Sequence, residues 1–305
     1  MKRRQFLHAA SASIASAAIV NQSRGQSLSA SSSERFTMAF APHFGTFAES
    51  AGPDLVDQLK FAADHGFHAW EDNPMKDRSV EDQNRVAKAM EQLEIKMGVI
   101  SALKGIWKQV NFAGDDKDAR DQVVDAMKAA VDVARRVNSK YLTVVLGLED
   151  PKLPLAYQTT NAIELLKRCC DVVEPHGLMM VLEPLNTKTN HPGVFLSESP
   201  HAFQICRAID RPSCKILFDI YHQQITEGNL IPNIDRCWGQ IGYFQCADNP
   251  GRREPGTGEI HYGNVFQHLQ RKGYRGIMGM EHKGAIKGPE GEMALIEAYR
   301  NVDPK

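Results

Sequence analysis

Short apolar runs alternate with longer amphipathic stretches along the chain after residue 35. The short runs are rich in β-branched residues and predict strands, whereas the amphipathic stretches have the period of helices. Several of these stretches begin at Ser, Thr or Asp and end at Gly, as helix caps do. Eight strands are predicted, at residues 37–42, 68–72, 96–103, 141–147, 179–184, 215–220, 241–247 and 276–281. Repeated strand–helix pairs of this kind are typical of a parallel sheet.

Eight such units favour a closed barrel over an open sheet. No GxGxxG or phosphate-binding loop follows the first predicted strand, although open nucleotide-binding sheets often carry one. Residues 35–305 are therefore predicted to form a single (β/α)8 TIM barrel, which belongs to the α/β class. Catalytic groups of such barrels come from the carboxyl ends of the strands, so these ends carry the candidate site.

The first 34 residues have the features of an export leader. Arg3 and Arg4 precede a modestly apolar, Ala- and Ser-rich segment that is too short to span a bilayer, which resembles a twin-arginine signal. The Ser-rich run 27–33 predicts a flexible linker. Residues 1–34 are interpreted as a cleavable signal peptide with its linker, and export by this route predicts a periplasmic or other extracytoplasmic location. A disordered basic tail is the alternative.

The charge balance points to a small-molecule partner. Lys and Arg total 36 and Asp and Glu total 37, whereas nucleic-acid or membrane-surface binding favours a strongly basic balance. We therefore expect no nucleic-acid partner and no membrane span. The six cysteines lack CxxC spacing and indicate neither a disulfide framework nor a zinc knuckle. The oligomeric state stays open, a homo-oligomer included.

Four consecutive predicted strands end in a side chain that offers an oxygen donor. These residues are Glu183, Asp219, Gln245 and Glu281. One buried carboxylate of this kind more often caps a helix or makes a salt bridge. Several that point into one cavity would repel one another unless a cation lies between them. Three carboxylates and an amide oxygen form a hard ligand set that suits one Mn²⁺ or Mg²⁺ ion better than Zn²⁺.

The segments "LEPLN", "FDIYHQQ", "QCADNPGRREPGTGEIHY" and "GMEHK" resemble motifs of the hydroxypyruvate isomerase family, within the xylose-isomerase-like TIM-barrel superfamily. The resemblance implies that Glu183, Asp219, Gln245 and Glu281 are the metal ligands. It also implies that Glu183 and Glu281 serve as the acid/base pair. His222 and Arg252 are similar to substrate-contacting positions of that family.

Two lysines are predicted to bind the substrate because of where they stand. Lys188 lies in the loop after the fifth predicted strand, and Lys283 follows Glu281 directly. Glu71, at the end of the second predicted strand, is explained either as a wall of the pocket or as barrel packing.

The expected function is metal-dependent isomerisation of a small α-hydroxy carbonyl compound, of the hydroxypyruvate to tartronate semialdehyde type, through an enediolate. A ketose 3-epimerase, or an isomerase of an oxidised sugar, would use the same residues. An endonuclease-IV-like nuclease would need more histidine ligands and a basic surface. A non-catalytic sugar-binding barrel is the remaining alternative.

Overall fold

The computed structural model describes residues 34–305, so all but the last residue of the predicted export leader and linker, residues 1–34, lie outside the described residues. Within the described range the chain forms nine strands and ten α-helices. The strands are β1 Ala39–Ala41, β2 Ala69–Trp70, β3 Lys96–Met97, β4 Val99–Ser101, β5 Tyr141–Val144, β6 Met179–Leu182, β7 Cys214–Asp219, β8 Ile241–Cys246 and β9 Ile277–Met280. The helices are α1 Ala48–Ala51, α2 Leu55–Asp64, α3 Val80–Gln92, α4 Lys117–Arg136, α5 Leu155–Val173, α6 Ser199–Ile209, α7 Ile220–Thr226, α8 Leu230–Cys237, α9 Tyr262–Arg271 and α10 Gly288–Val302.

The strands curl into the predicted TIM barrel. One parallel sheet has the order β1-β9-β8-β7-β6-β5-β4, and β2 pairs in parallel with β3. The first strand thus pairs with the last, at Ala39 with Ile277, as closure requires. The barrel prediction is confirmed, and each of the eight predicted strands has a counterpart.

The third predicted strand differs from the prediction, because it is divided at Gly98 into β3 and β4. A side chain at residue 98 would overlap the hydroxyl of Tyr243 and lie 3.1 Å from the carbonyl oxygen of Trp70. The glycine therefore lets the strand pass close to a bulky residue inside the barrel. The two parts pair with different neighbours, β3 with β2 and β4 with β5.

Side chains inside the barrel form two layers. Since strand side chains alternate between faces, positions two residues apart share the inward face. A lower apolar layer contains Ala69, Val99, Val181, Leu217, Tyr243 and Ile277, with Tyr141 packed against it. Two residues further along the same strands stand Glu71, Ser101, Glu183, Asp219, Gln245, Gly279 and Thr143. The upper layer, at the carboxyl ends, is therefore mostly polar.

The amphipathic helices pack outside the sheet and form the larger core with its outer face. In α4 the buried residues Val123, Met127, Ala130 and Ala134 recur at helical spacing. Asp116 caps this helix, because its carboxylate accepts a hydrogen bond from the backbone of Ala119 at 2.8 Å. In the part of the chain that the structure describes, we find no helix with the length and apolar character needed to cross a bilayer.

Gly279 tests the packing of the polar layer. A Cβ atom at residue 279 would overlap the Glu71 carboxylate and lie 2.8 Å from Cγ of Gln245, and both side chains are buried. We expect Gly279→Ala to lower the free energy of unfolding by about 1–3 kcal/mol, the usual effect of overpacking, measured by urea denaturation. Gly239→Ala is the matched control because residue 239 has open space around it. Equal stability of the two variants would contradict this packing.

Candidate active site

A cavity of about 340 Å³ opens at the carboxyl ends of the strands. Glu183, Asp219, His222 and Glu281 each place one ligand atom so that all four atoms lie within 4.8 Å of one another. The first three residues are buried and Glu281 is half-buried. The structure thus brings together three of the four predicted metal ligands and the predicted substrate contact His222.

The two carboxylate oxygens of Asp219 have different roles, one in capping a helix and one in the candidate site. It ends β7 and caps α7, where Oδ1 accepts hydrogen bonds from the backbone N–H groups of Tyr221 at 2.8 Å and His222 at 3.4 Å. Oδ2 is buried and has no hydrogen-bond partner among the described groups. Because a buried oxygen without a partner is costly, Oδ2 is suited to a cation.

Gln245, the fourth predicted ligand, stands beside Asp219 in the β7–β8 ladder. Its Nε2 donates to the Glu71 carboxylate, at 3.2 Å to Oε1 and 3.4 Å to Oε2. Its Oε1 is buried and lacks a partner within residues 34–305. Glu71 also accepts a hydrogen bond from the Tyr243 hydroxyl at 3.1 Å. Glu71 therefore fixes the amide so that its oxygen stays available.

The electrostatics of the cluster are those of crowded acids. Burial first, and then the nearby charges of Glu281 and Asp219, raise the pKa of Glu183 well above its usual range. Burial likewise raises the pKa of Asp219, and it raises that of Glu71 strongly. Among the described ion pairs of these carboxylates, Arg252 supplies the permanent positive charge, with Nη2 2.8 Å from Glu281 Oε2 and 3.8 Å from Asp219 Oδ2.

The donor set fits a divalent cation. One guanidinium stands against the three carboxylates of Glu183, Asp219 and Glu281. Two buried oxygens, on Asp219 and Gln245, lack hydrogen-bond partners in the described part of the chain. Carboxylate and amide oxygens are hard ligands. These four residues can therefore hold one such ion.

His222 is oriented as a hydrogen-bond donor toward the cluster. Its Nδ1 accepts a hydrogen bond from the backbone N–H of Asn186 at 3.1 Å, which leaves the proton on Nε2. Burial lowers the pKa of His222 to about 3, so the ring is neutral. Nε2 lies 3.6 Å from Asp219 Oδ2. An Nε2–H in this position suits a substrate oxygen better than a metal ion.

The loop after β8 delivers Arg252 to the site, and the buried carboxylate of Asp248 holds that loop in place. Oδ2 of Asp248 accepts hydrogen bonds from the backbone of Gly256 at 2.8 Å and Gly258 at 2.9 Å, and Oδ1 accepts from Ile260 at 3.1 Å. Arg252 itself has a left-handed backbone (φ 54°), and its guanidinium lies 5.0 Å from the centre of the Tyr221 ring. Asp248 thus serves the loop, which its strand-end position alone did not reveal.

Neither of the two predicted substrate-binding lysines lines the cavity of about 340 Å³. The Lys188 ammonium donates to the carbonyls of Ile225 at 3.1 Å and Thr226 at 3.0 Å, at the end of α7. Lys283 lines an adjoining pocket that also includes Glu281 and Arg252. The structure does not bring either lysine together with Glu183, and their role in binding stays a prediction.

Glu71 is the residue that sequence reasoning left undecided. Its partners lie 172 and 174 residues further along the chain, at Tyr243 and Gln245. The available signal was its position two residues after Ala69, which places it on the inward face of the barrel.

A family model described as "Xylose isomerase-like TIM barrel" matches residues 59–301. The chain belongs to this family. Hydroxypyruvate isomerase of Escherichia coli is 28% identical over 275 residues, which cover 87% of this chain and 99% of that protein. 2-Oxo-tetronate isomerase of Pectobacterium atrosepticum is 29% identical over 245 residues, or 78% and 89% of the two chains. The predicted membership and the prediction of an isomerase are confirmed.

Other relatives match over shorter spans or by fold. A Xenopus laevis protein is 36% identical over 165 residues, which span 52% of this chain and 58% of the frog protein. The solved structure of a family 2 AP endonuclease from Brucella melitensis has a TM-score of 0.73 at 26% identity and covers 83% of this chain and 96% of its own. The IOLI protein, solved with a zinc atom, shares the fold, with a TM-score of 0.67 at 19% identity over 87% and 96% of the two chains.

Glu71→Gln tests whether Glu71 orients the Gln245 amide. A glutamine at residue 71 offers both a donor and an acceptor, so the Gln245 amide can turn its nitrogen toward the carboxylates. We expect the affinity for Mn²⁺ to fall about 10- to 100-fold, as is usual when a partner of a metal ligand is changed, measured by isothermal titration calorimetry. Glu91→Gln, on the exposed surface of α3, is the control. Unchanged affinity in a folded Glu71→Gln protein would contradict the orienting role.

Proposed function

We propose that this protein is a metal-dependent isomerase of a small α-hydroxy carbonyl acid, of the hydroxypyruvate to tartronate semialdehyde type. One observation carries the proposal. Glu183, Asp219 and Glu281 converge at the carboxyl ends of a barrel whose relatives include hydroxypyruvate isomerase and 2-oxo-tetronate isomerase. Gln245, beside Asp219 in the β7–β8 ladder, adds a buried amide oxygen that has no hydrogen-bond partner among the described residues.

The cofactor in this proposal is one Mn²⁺ or Mg²⁺ ion held by Glu183, Asp219, Gln245 and Glu281. The oxygen-only set supports these ions, because softer metals favour nitrogen or sulfur ligands. When bound, the ion supplies Lewis-acid stabilisation of negative charge on the substrate oxygens.

Glu183 and Glu281 are the acid/base pair. They follow β6 and β9, which lie three strands apart in the sheet, so the two carboxylates approach the cavity from different sides. One carboxylate takes the proton from the carbon that bears the hydroxyl group, which yields the enediolate. The other returns a proton to the neighbouring carbon, while a proton passes between the two substrate oxygens.

His222 and Arg252 bind the oxygens of the substrate. The neutral Nε2–H of His222 donates a hydrogen bond without adding a proton that the carboxylates would take. Arg252 reaches the same space from the loop held by Asp248, and its charge favours the enediolate. Roles for Lys188 and Lys283 in substrate binding, and export directed by Arg3 and Arg4, remain parts of the proposal.

Two competing functions have less support. A ketose 3-epimerase would use the same carboxylates, and the D-psicose 3-epimerase structure shares the fold, with a TM-score of 0.69 at 18% identity. Two relatives that match over most of this chain are isomerases by name. A nuclease of the endonuclease IV type needs several histidine ligands, whereas the described cluster contains one histidine.

Glu183→Gln and Glu281→Gln test the acid/base pair. We expect each variant to lose solvent-deuterium incorporation into hydroxypyruvate by about 10²- to 10⁴-fold in the presence of Mn²⁺, the usual contribution of a general acid or base, measured by NMR in D₂O. Circular dichroism checks the fold, and Glu91→Gln serves as the control. Either variant exchanging at nearly the wild-type rate would contradict the assignment, and exchange of ketoses alone would favour the epimerase.

A further inference from the structure

The wall of the cavity that follows β2, β4 and β5 differs in character from the wall that carries the carboxylates. Ser101 ends β4, Thr143 lies on β5, Asn73 follows β2, and Lys104 comes shortly after β4. These side chains line the same cavity as Glu183 and Glu281. The lining residues on this side include hydroxyls, an amide and an ammonium group, and within the described chain they include no acid.

Thr143 has an unused hydrogen-bonding group in this wall. Its side chain is 3% exposed, and its Oγ1 is buried and has no partner in the described structure. Buried hydroxyls in native proteins are nearly always paired, and leaving one unpaired costs about 1–3 kcal/mol. A ligand oxygen in the cavity would supply the missing partner.

The ammonium group of Lys104 can exchange its present ion-pair partner for an anionic ligand. Of the described lining residues, Lys104 and Arg252 carry a permanent positive charge. Arg252 is engaged by Glu281 at 2.8 Å and lies 3.8 Å from Asp219. Lys104 pairs with Asp77, but both side chains are about half exposed (44% and 54%). Because exposed ion pairs contribute little, an anionic ligand can displace Asp77 at small cost.

Charge also dictates which end of an acidic substrate lies against which wall. A substrate carboxylate placed among Glu183, Asp219 and Glu281 would meet three carboxylates, and the nearby guanidinium of Arg252 is already paired with Glu281. Beside Lys104 it meets a positive charge and hydroxyl donors instead.

We propose that Lys104, Thr143 and Ser101 form an anion subsite that binds the carboxylate of an α-hydroxy carbonyl acid. The acid end then lies against β4 and β5, and the hydroxy-carbonyl end meets Glu183 and Glu281. This inference rests on the proposed isomerase function. It adds that the subsite makes the enzyme prefer acids over neutral sugars of the same length.

Two substrates that differ in this one group test the subsite. Hydroxypyruvate and dihydroxyacetone share the α-hydroxy ketone, and the second has a hydroxymethyl group in place of the carboxylate. We expect Lys104→Met to lower kcat/KM for solvent-deuterium incorporation into hydroxypyruvate by about 10- to 100-fold, the effect of losing a hydrogen bond to a charged group. The rate with dihydroxyacetone should stay within about twofold. Thr143→Val should act in the same direction with a smaller effect, and Lys104→Arg should restore most of the selectivity.

Lys108→Met is the matched control, because this exposed lysine lies four residues further on and does not line the cavity. Equal losses with both substrates in Lys104→Met, or no loss with either, would overturn the subsite while leaving the isomerase assignment intact. If the wild-type protein exchanges neither substrate, the proposed function fails. Calorimetric titration with hydroxypyruvate then decides the subsite alone: weaker binding to Lys104→Met supports it, and unchanged binding overturns it.

Discussion

Mutual repulsion among closely spaced carboxylates governs the arrangement of the site. Glu183, Asp219 and Glu281 approach within 4.8 Å at the mouth of the barrel, and Glu71 lies buried in the same upper layer. Crowded acids of this kind either hold extra protons or enclose a cation. Burial, and then the charge of Glu281, raises the pKa of Glu183 and of Glu71, which favours extra protons. The buried oxygens of Asp219 and Gln245 that lack hydrogen-bond partners in the described chain favour a cation.

The barrel holds these carboxylates close together. The apolar layer beneath, which includes Val181, Leu217 and Tyr243, supports the polar layer from below. Local hydrogen bonds then set the direction of each polar group. Asp219 uses one oxygen to cap α7, and Gln245 uses its nitrogen to bind Glu71. In each residue the atom left without a hydrogen-bond partner is an oxygen. The fold therefore presents oxygen ligands to the site.

The barrel and most of the carboxylate cluster can be predicted from the sequence, and the reasons are physical. Strands buried on both faces leave long apolar runs, and a carboxylate that ends such a run, such as Glu183 or Glu281, is conspicuous. The alternation of strand side chains also places Glu71 and Thr143 on the inward face of the barrel. This alternation is hard to read in a strand of two residues such as β2, and threonine is common in strands whether or not it has a functional role. Asp248 has a strand-end position like that of the site carboxylates but a different role. It stands near a strand end, yet its hydrogen bonds to Gly256 and Gly258 make it a support of the loop, and contacts of this kind depend on the path of the folded chain.

We propose that the carboxylates of Glu183, Asp219 and Glu281 and the amide oxygen of Gln245 together hold one hard divalent cation. Diffraction from crystals grown with Mn²⁺, recorded on both sides of the manganese absorption edge, tests this proposal. We expect one anomalous peak per chain, in contact with oxygens of Glu183, Asp219, Glu281 and Gln245, with Nε2 of His222 outside the coordination sphere. Absence of a peak among these residues, or a peak bound by His222 with the Gln245 oxygen turned away, would contradict it.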